Sequence, residues 1–253
     1  MRYIVIGKRI FFAFCLLFAT ICVVLVYSAG QVLQTAGRAV HKYPIYSVET
    51  DKQQVALGIN CAWDNTDIPQ LIRILDEYNV KATFFVVGDW CDKYPESVRA
   101  LHDAGHEIGS HSDTHADMTR LDRAGMIREI QDSADKIEAI TGERPILFRT
   151  PSGAYNATVV EVIEQQGFYP IQWDCDSLDY KNPSASEMQA RIFKKLRAGS
   201  ILLFHSGAKN TPAALPQIIE AIEEHGYRII PVSELIYQGE YTVDHEGRQH
   251  PSE

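Results

Sequence analysis

The chain has 253 residues, with 24 basic against 33 acidic side chains for a formal charge of −9 at pH 7, and 45% of it is hydrophobic. That apolar content excludes an intrinsically disordered chain, which buries too little surface to offset its ordering entropy. The acidic excess, with no basic stripe, argues against nucleic acid as a partner, because phosphate contacts need clustered lysine and arginine.

Residues 10–27 carry no charge and follow Arg2, Lys8 and Arg9. At about 1.5 Å of rise per residue, such a run nearly crosses a hydrocarbon core of about 30 Å. The flanking cations predict a cytoplasmic segment 1–9, a single transmembrane helix 10–27 and an extracytoplasmic remainder. The competing reading is a signal peptide cleaved near Ser28, which would leave a secreted protein. Residues 28–52, without sustained periodicity, read as a stalk, and 238–253 as a polar, solvated tail. Cys15 and Cys22 lie in the apolar run, leaving Cys61, Cys91 and Cys175 outside. Three thiols form one bridge at most, so the fold rests on apolar burial rather than on a disulfide scaffold.

From residue 53 to 237 short apolar runs alternate with amphipathic stretches, the signature of β/α units on a parallel sheet. The predicted strands are 55–59, 82–87, 107–110, 146–149, 169–173, 201–205 and 228–231. The predicted helices are 68–78, 95–104, 118–140, 157–166, 185–196 and 215–225. In the first helix Ile68, Leu71, Ile72 and Leu75 share one face. Seven strands imply a distorted (β/α)7 barrel.

Loops leaving the strand C-termini of such a barrel share one mouth. There the sequence places His111 and His115, Arg149 and Ser152, the run from Trp173 through Asp176 and Asp179 to Tyr180, and Leu203 with His205. Taken singly each has a bland reading: surface histidines, a carbonyl-capping arginine, aspartates at helix N-termini. One fold feature makes them converge, and together they supply imidazoles, a cation and carboxylates.

The order of these motifs resembles the polysaccharide deacetylase family, the NodB-homology carbohydrate esterases, over residues 55–237. The pieces are Val55-Ala56-Leu57, Lys81-Ala82-Thr83-Phe84-Phe85, Gly105-His106-Glu107-Ile108-Gly109-Ser110-His111, Arg149, the Asp176 to Tyr180 segment and Leu203-Phe204-His205. Cys61-Ala62-Trp63 followed by Asp67-Ile68-Pro69 is similar to the spore-former-type branch. The resemblance implies hydrolysis of the N-acetyl group of an amino-sugar polymer, such as peptidoglycan-like cell-wall glycan. It implies that His111 and His115 hold a divalent metal, zinc by ligand chemistry, and that His205 protonates the departing amine. Asp179 would orient His205 with support from Asp176. The Ser152 backbone N–H would face the oxyanion, and Trp173, Tyr180 and Leu203 would wall the acetyl pocket.

The first motif departs from the family, which has two adjacent aspartates, a general base and a metal ligand, where this chain has Asn60 and Cys61. An amide oxygen is not basic, so Asn60 cannot deprotonate water, and Arg149 loses the anion it would pair with. Cys61 reads as packing more readily than as a thiolate ligand. Asp64 is the tentative substitute base or ligand, folding back toward Arg149, whereas Asp67 reads as the N-cap of the helix that opens Ile68-Pro69. Two function classes follow: an active membrane-anchored N-deacetylase, or a degraded homologue that binds glycan or a partner in the envelope or in sporulation. A glycosidase would need paired carboxylates across a scissile bond and leaves three histidines without a role.

Overall fold

The structure is a computed structural model that describes residues 41–252. The predicted anchor at 10–27 lies outside those residues. No helix among the described residues is long and apolar enough to cross a membrane.

The strands are β1 (Ser47–Val48), β2 (Gln54–Cys61), β3 (Thr83–Val86), β4 (Glu107–Ser110), β5 (Leu147–Phe148), β6 (Tyr169–Pro170), β7 (Cys175–Asp176), β8 (Ile201–His205), β9 (Arg228–Ile230), β10 (Tyr241–Val243) and β11 (Arg248–Pro251). The helices are α1 (Ile68–Glu77), α2 (Gly88–Lys93), α3 (Pro95–Asp103), α4 (Arg123–Thr141), α5 (Ala157–Gln165), α6 (Ala185–Phe193), α7 (Thr211–Glu224) and α8 (Val232–Leu235). All seven predicted strands are present. The all-parallel sheet adds β7 and runs β6-β5-β4-β3-β2-β8-β7, with β9 on the first half of β2.

The expected seven-stranded barrel is therefore an open half-barrel of eight strands. β6 and β7 are the ends of the strand order and do not pair. The segment read as a stalk fills the gap beside them. Ile45 N–H donates to Pro170 O at 2.8 Å, Gln172 N–H donates to Ile45 O at 2.7 Å, and Val48 N–H donates to Gly199 O at 2.8 Å. Ile45 and Val48 are fully buried with Ile171 and Ile201. The tail is likewise corrected: β11 pairs with β1 and β10, and Gln249 is buried. Both segments are too short and polar to show a period, and only pairing with each other and with the sheet orders them.

Strand alternation sorts β2 into two faces. Val55, Leu57, Ile59 and Cys61 pack with the helices, whereas Ala56 packs with the interior group of Phe85, Leu147 and Ile201. Gly58 and Asn60 share the parity of Ala56. On β8, Leu202 and Phe204 face the helices, which leaves Leu203 and His205 on the interior side. Two helices escape the sequence patterns, α2 and α8, each six residues or fewer. α7 begins four residues earlier than expected because Pro212 is tolerated in its first turn and Pro216 interrupts its pattern.

Candidate active site

Parallel register brings the predicted residues together at the C-terminal ends of the strands. Asn60 lies opposite His205 across β2 and β8. His111 N–H donates to Val86 O at 2.9 Å, and Arg149 N–H donates to Ser110 O at 2.8 Å, so each ladder extends one residue to deliver its functional side chain.

His111 is buried, and its Nδ1 donates to Arg149 O at 2.7 Å. A carbonyl only accepts, so this bond puts the proton on Nδ1 and leaves the Nε2 lone pair available. Burial pulls its pKa down to about 3, with the charges of His115, Arg149 and His205 acting the same way. The His115 ring stands edge-on at 5.0 Å between centroids. Ser112 and His115 both take positive φ, 68° and 60°, and His115 N–H donates to Ser112 Oγ at 3.0 Å. Two left-handed residues in a four-residue turn fold His115 back over His111.

His205 forms the other half. Asp179, fully buried, accepts from His205 Nδ1 at 2.8 Å and from the His205 N–H at 2.6 Å. It also accepts from Thr211 Oγ1 at 2.7 Å and from Tyr180 N–H at 2.9 Å. Four donors compensate a carboxylate that burial would otherwise penalise. The imidazole is thereby fixed with Nε2 pointing away from Asp179. Trp63 stacks on it at 5.2 Å, and Tyr180 meets it edge-on at 5.5 Å. Leu203 lies two residues back on the same face of β8 and is buried.

Arg149 occupies the interior below these imidazoles. It is fully buried, lies 3.9 Å from the Phe85 ring centroid and 5.5 Å from that of Trp173. Its Nη1 donates to Asn60 Oδ1 at 2.9 Å and its Nη2 to Gln172 O at 3.2 Å. Burial lowers its pKa to about 9, so it remains cationic at neutral pH. A carbon added at Gly58 would lie 2.6 Å from Nη2. Ser152 sits at positive φ in the turn Pro151–Gly153, exposed at the mouth, and the bonds that close the turn use the N–H groups of Gly153 and Ala154.

Three expectations are corrected. Asp64 does not reach Arg149; it is exposed, and both its bonds go to Thr66, which hold its carboxyl below the usual range. Asp67 does stand at the N-cap of α1, as expected, but its side chain makes no capping bond; its Oδ2 accepts from Gly207 N–H at 2.8 Å, tying the start of that helix to the loop after His205. Asp176 stands outside the His205 network, and its Oδ1 accepts from Leu178 N–H at 2.8 Å. It shapes the loop that carries Asp179 without touching the histidine. Cys61 is packing, as expected: it faces the helices, is fully buried, and burial pushes its thiol well above the ordinary value. Cys61, Cys91 and Cys175 are free, buried thiols.

The two histidines suit a cation, but a third protein ligand is missing. Among the described residues no group of three histidine, cysteine, aspartate or glutamate side chains is arranged to hold a metal ion. Hydrolytic zinc sites use three protein ligands, so the residues present do not fit a complete centre. Phe85, which packs on Arg149, belongs to the motif Lys81–Phe85, but sequence reasoning passed over Gly58 and Gln172 beside Arg149 and Thr211 beside Asp179. Strand parity identifies Gly58; Gln172 and Thr211 carry no local signal.

The polysaccharide deacetylase family model matches residues 47–171. A peptidoglycan-N-acetylglucosamine deacetylase of Bacillus cereus is 30% identical over 199 residues, spanning 77% of this chain and 93% of that protein. The chain belongs to the polysaccharide deacetylase family. Protein YlxY of Bacillus subtilis is 32% identical over 193 residues, 76% of this chain, which spans only 60% of that longer relative. Among solved structures, a CE4 family pseudoenzyme from Bacillus anthracis superposes with a TM-score of 0.74 at 32% identity, covering 83% of this chain and 73% of that one. This polysaccharide deacetylase homologue thus shares its half-barrel with relatives of both kinds, deacetylases and a pseudoenzyme.

Proposed function

We propose that this chain is an extracytoplasmic, peptidoglycan-binding deacetylase homologue in which hydrolytic turnover has lapsed. The carrying observation is the 2.9 Å bond from Arg149 to Asn60 Oδ1. The guanidinium is aimed at the position where the family's base would stand, and the group there is a neutral amide that cannot take a proton from water. The acidic ligand position holds Cys61, turned into the core. What remains is an imidazole, His205, that Asp179 holds in one tautomer, flanked by the rings of Trp63 and Tyr180, apolar surfaces suited to sugar rings.

Three kinds of observation support the reading. Relatives are named as peptidoglycan-N-acetylglucosamine and peptidoglycan-N-acetylmuramic acid deacetylases, which points to acetylated wall glycan as the ligand. The Bacillus anthracis neighbour is a pseudoenzyme, and a mutant of it has restored enzymatic activity. The apolar run 10–27 would hold the domain at the outer face of the membrane.

The test measures acetate release from acetylated chitooligomers and peptidoglycan, with zinc supplied, beside the Asn60→Asp variant, which returns an anion to Arg149. The wild-type chain binds the glycan and releases no acetate, and the Asn60→Asp variant does. A second reading, residual deacetylation, is favoured by the complete His205–Asp179 pair. A lost general base costs about 10²–10⁴ in rate, so slow zinc-dependent acetate release by the wild-type chain would establish it and end the first reading.

A further inference from the structure

His111 and His115 are set in place by different means. His111 is tethered through its own ring, by the bond from Nδ1 to Arg149 O. The ring of His115 makes no hydrogen bond to another residue among the described residues, so the path of the backbone from Ser112 to His115 decides where that imidazole stands. That path is a costly one. Ser112 and His115 both sit at positive φ, and residues with a side chain keep such a conformation only where the surroundings impose it.

The backbone groups running from Ser112 O to Thr114 N are all taken by neighbouring elements. The carbonyls of Ser112 and Asp113 accept from the N–H groups of Gly88, at 2.9 Å, and Asp89, at 2.8 Å, in the first turn of α2. The N–H groups of Asp113 and Thr114 both donate to Glu129 Oε2 at 2.9 Å, and the Thr114 hydroxyl donates to Glu129 Oε1 at 2.6 Å. Two successive N–H groups converging on one oxygen form an anion-binding concavity, and Glu129 is the anion that fills it. The same helix, α4, makes two more ties. Ser133 Oγ bonds Ser110 Oγ, and Lys136 Nζ lies 2.7 Å from Asp113 Oδ1 while reaching Asp92 of α2 at 2.8 Å. Positions 129, 133 and 136 follow i, i+4, i+7, so one stripe of α4 is addressed to the segment that carries the two histidines.

We propose that Glu129 is a positioning residue: it fills this concavity, holds the turn in its left-handed conformation and thereby sets the His115 imidazole over that of His111. The geometry of the pair is built from α4 and is in place before any ligand arrives at the mouth. This inference concerns how the site is constructed and stands apart from which ligand the site takes.

Magnetic resonance spectra of the full chain in mild detergent, with isotope-labelled histidine rings, test the assignment. The His115 signal is identified by its loss in His115→Gln. In Glu129→Ala it moves to the position of a freely turning imidazole, while the signals of His106, at the opposite end of β4, and His225, after α7, stay where they are. Glu129→Gln, which keeps an oxygen for the two N–H groups, returns the signal toward its wild-type position. Should the alanine variant fail to fold, Glu129→Asp, one methylene shorter, carries the test, with the His115 signal displaced in the same direction. In the Asn60→Asp chain, whose acetate release rests on the function proposed above, Glu129→Ala lowers kcat about tenfold and leaves KM unchanged, because the substrate still binds while one imidazole is misplaced. An Asn60→Asp chain that releases no acetate counts against that function, and the spectra then decide on Glu129 by themselves. A His115 signal that stays in place when Glu129 is replaced, or histidine signals that all move together, overturns the assignment.

Discussion

Gly58 has its identity fixed by Arg149. A methyl group there would stand 2.6 Å from Nη2 and 2.8 Å from Nη1, and the planar guanidinium is hemmed in by Phe85, Asn60 and Gln172. Gly58→Ala is therefore expected to displace the arginine and destabilise the fold by about 2–3 kcal/mol, read as a lower urea midpoint at unchanged slope. His106 sets a pH limit at the opposite end of β4. It is buried against Phe84, its Nε2 has no partner, and burial pulls its pKa from 6.5 down to about 4. With the folded value below the unfolded one, the unfolded chain takes up the proton first. The contribution of neutral His106 is whole above about 6.5 and is lost as pH falls toward 4. His106→Leu is expected to flatten the pH dependence of urea stability across that window by up to about 3 kcal/mol. An unchanged profile would reject the assignment.

At the scale of elements, the sequence was most legible where a strand is long enough to show itself. The runs 107–110 and 201–205 coincide with β4 and β8, and the mouth residues follow from where those strands end. β7 was illegible because its two residues are a cysteine and an aspartate, ordered only by pairing with β8. Asp67 illustrates a different limit. An aspartate before Ile68-Pro69 has every local feature of an N-cap, yet the tertiary bond to Gly207 takes its side chain instead. Burial raises its pKa, and its Oδ1 has no partner. An acid whose folded pKa is raised opposes folding once it ionises, so stability falls as pH rises through the ordinary carboxylate range. Asp67→Asn keeps an oxygen for Gly207 N–H and removes the charge. It is expected to match or exceed the wild-type melting temperature at neutral pH, whereas Asp67→Ala, which cuts the tie, loses about 1 kcal/mol. If both variants lose equally, the charge is not opposing the fold.

On the scale of the whole molecule, the two ends of the described chain close the half-barrel that the strands leave open. β1 pairs with β11 in parallel, Ile45 bridges to Ile171, and the Gln249 side chain clasps Tyr237, accepting from its N–H at 2.9 Å and donating to its carbonyl at 2.8 Å. Composition could not reveal this, because a polar segment looks the same whether it is solvated or holds another strand by its backbone. The same arrangement brings Tyr46 and Glu246, from the two segments that β1 and β11 join, onto one surface cleft. Gln249→Ala leaves both Tyr237 backbone groups without their partner in a buried setting, at a cost of about 2 kcal/mol, or about 4–8 °C in melting temperature for a domain of this size. Gln249→Glu keeps the acceptor but loses its donor only on ionisation, because the protonated acid can donate its O–H to the Tyr237 carbonyl, so its loss should be small near pH 4 and larger at pH 7, where a charge is buried as well. Calorimetry of the three proteins at both pH values decides the matter, and a melting temperature indifferent to position 249 would mean that the terminal segments lie on the half-barrel without holding it closed.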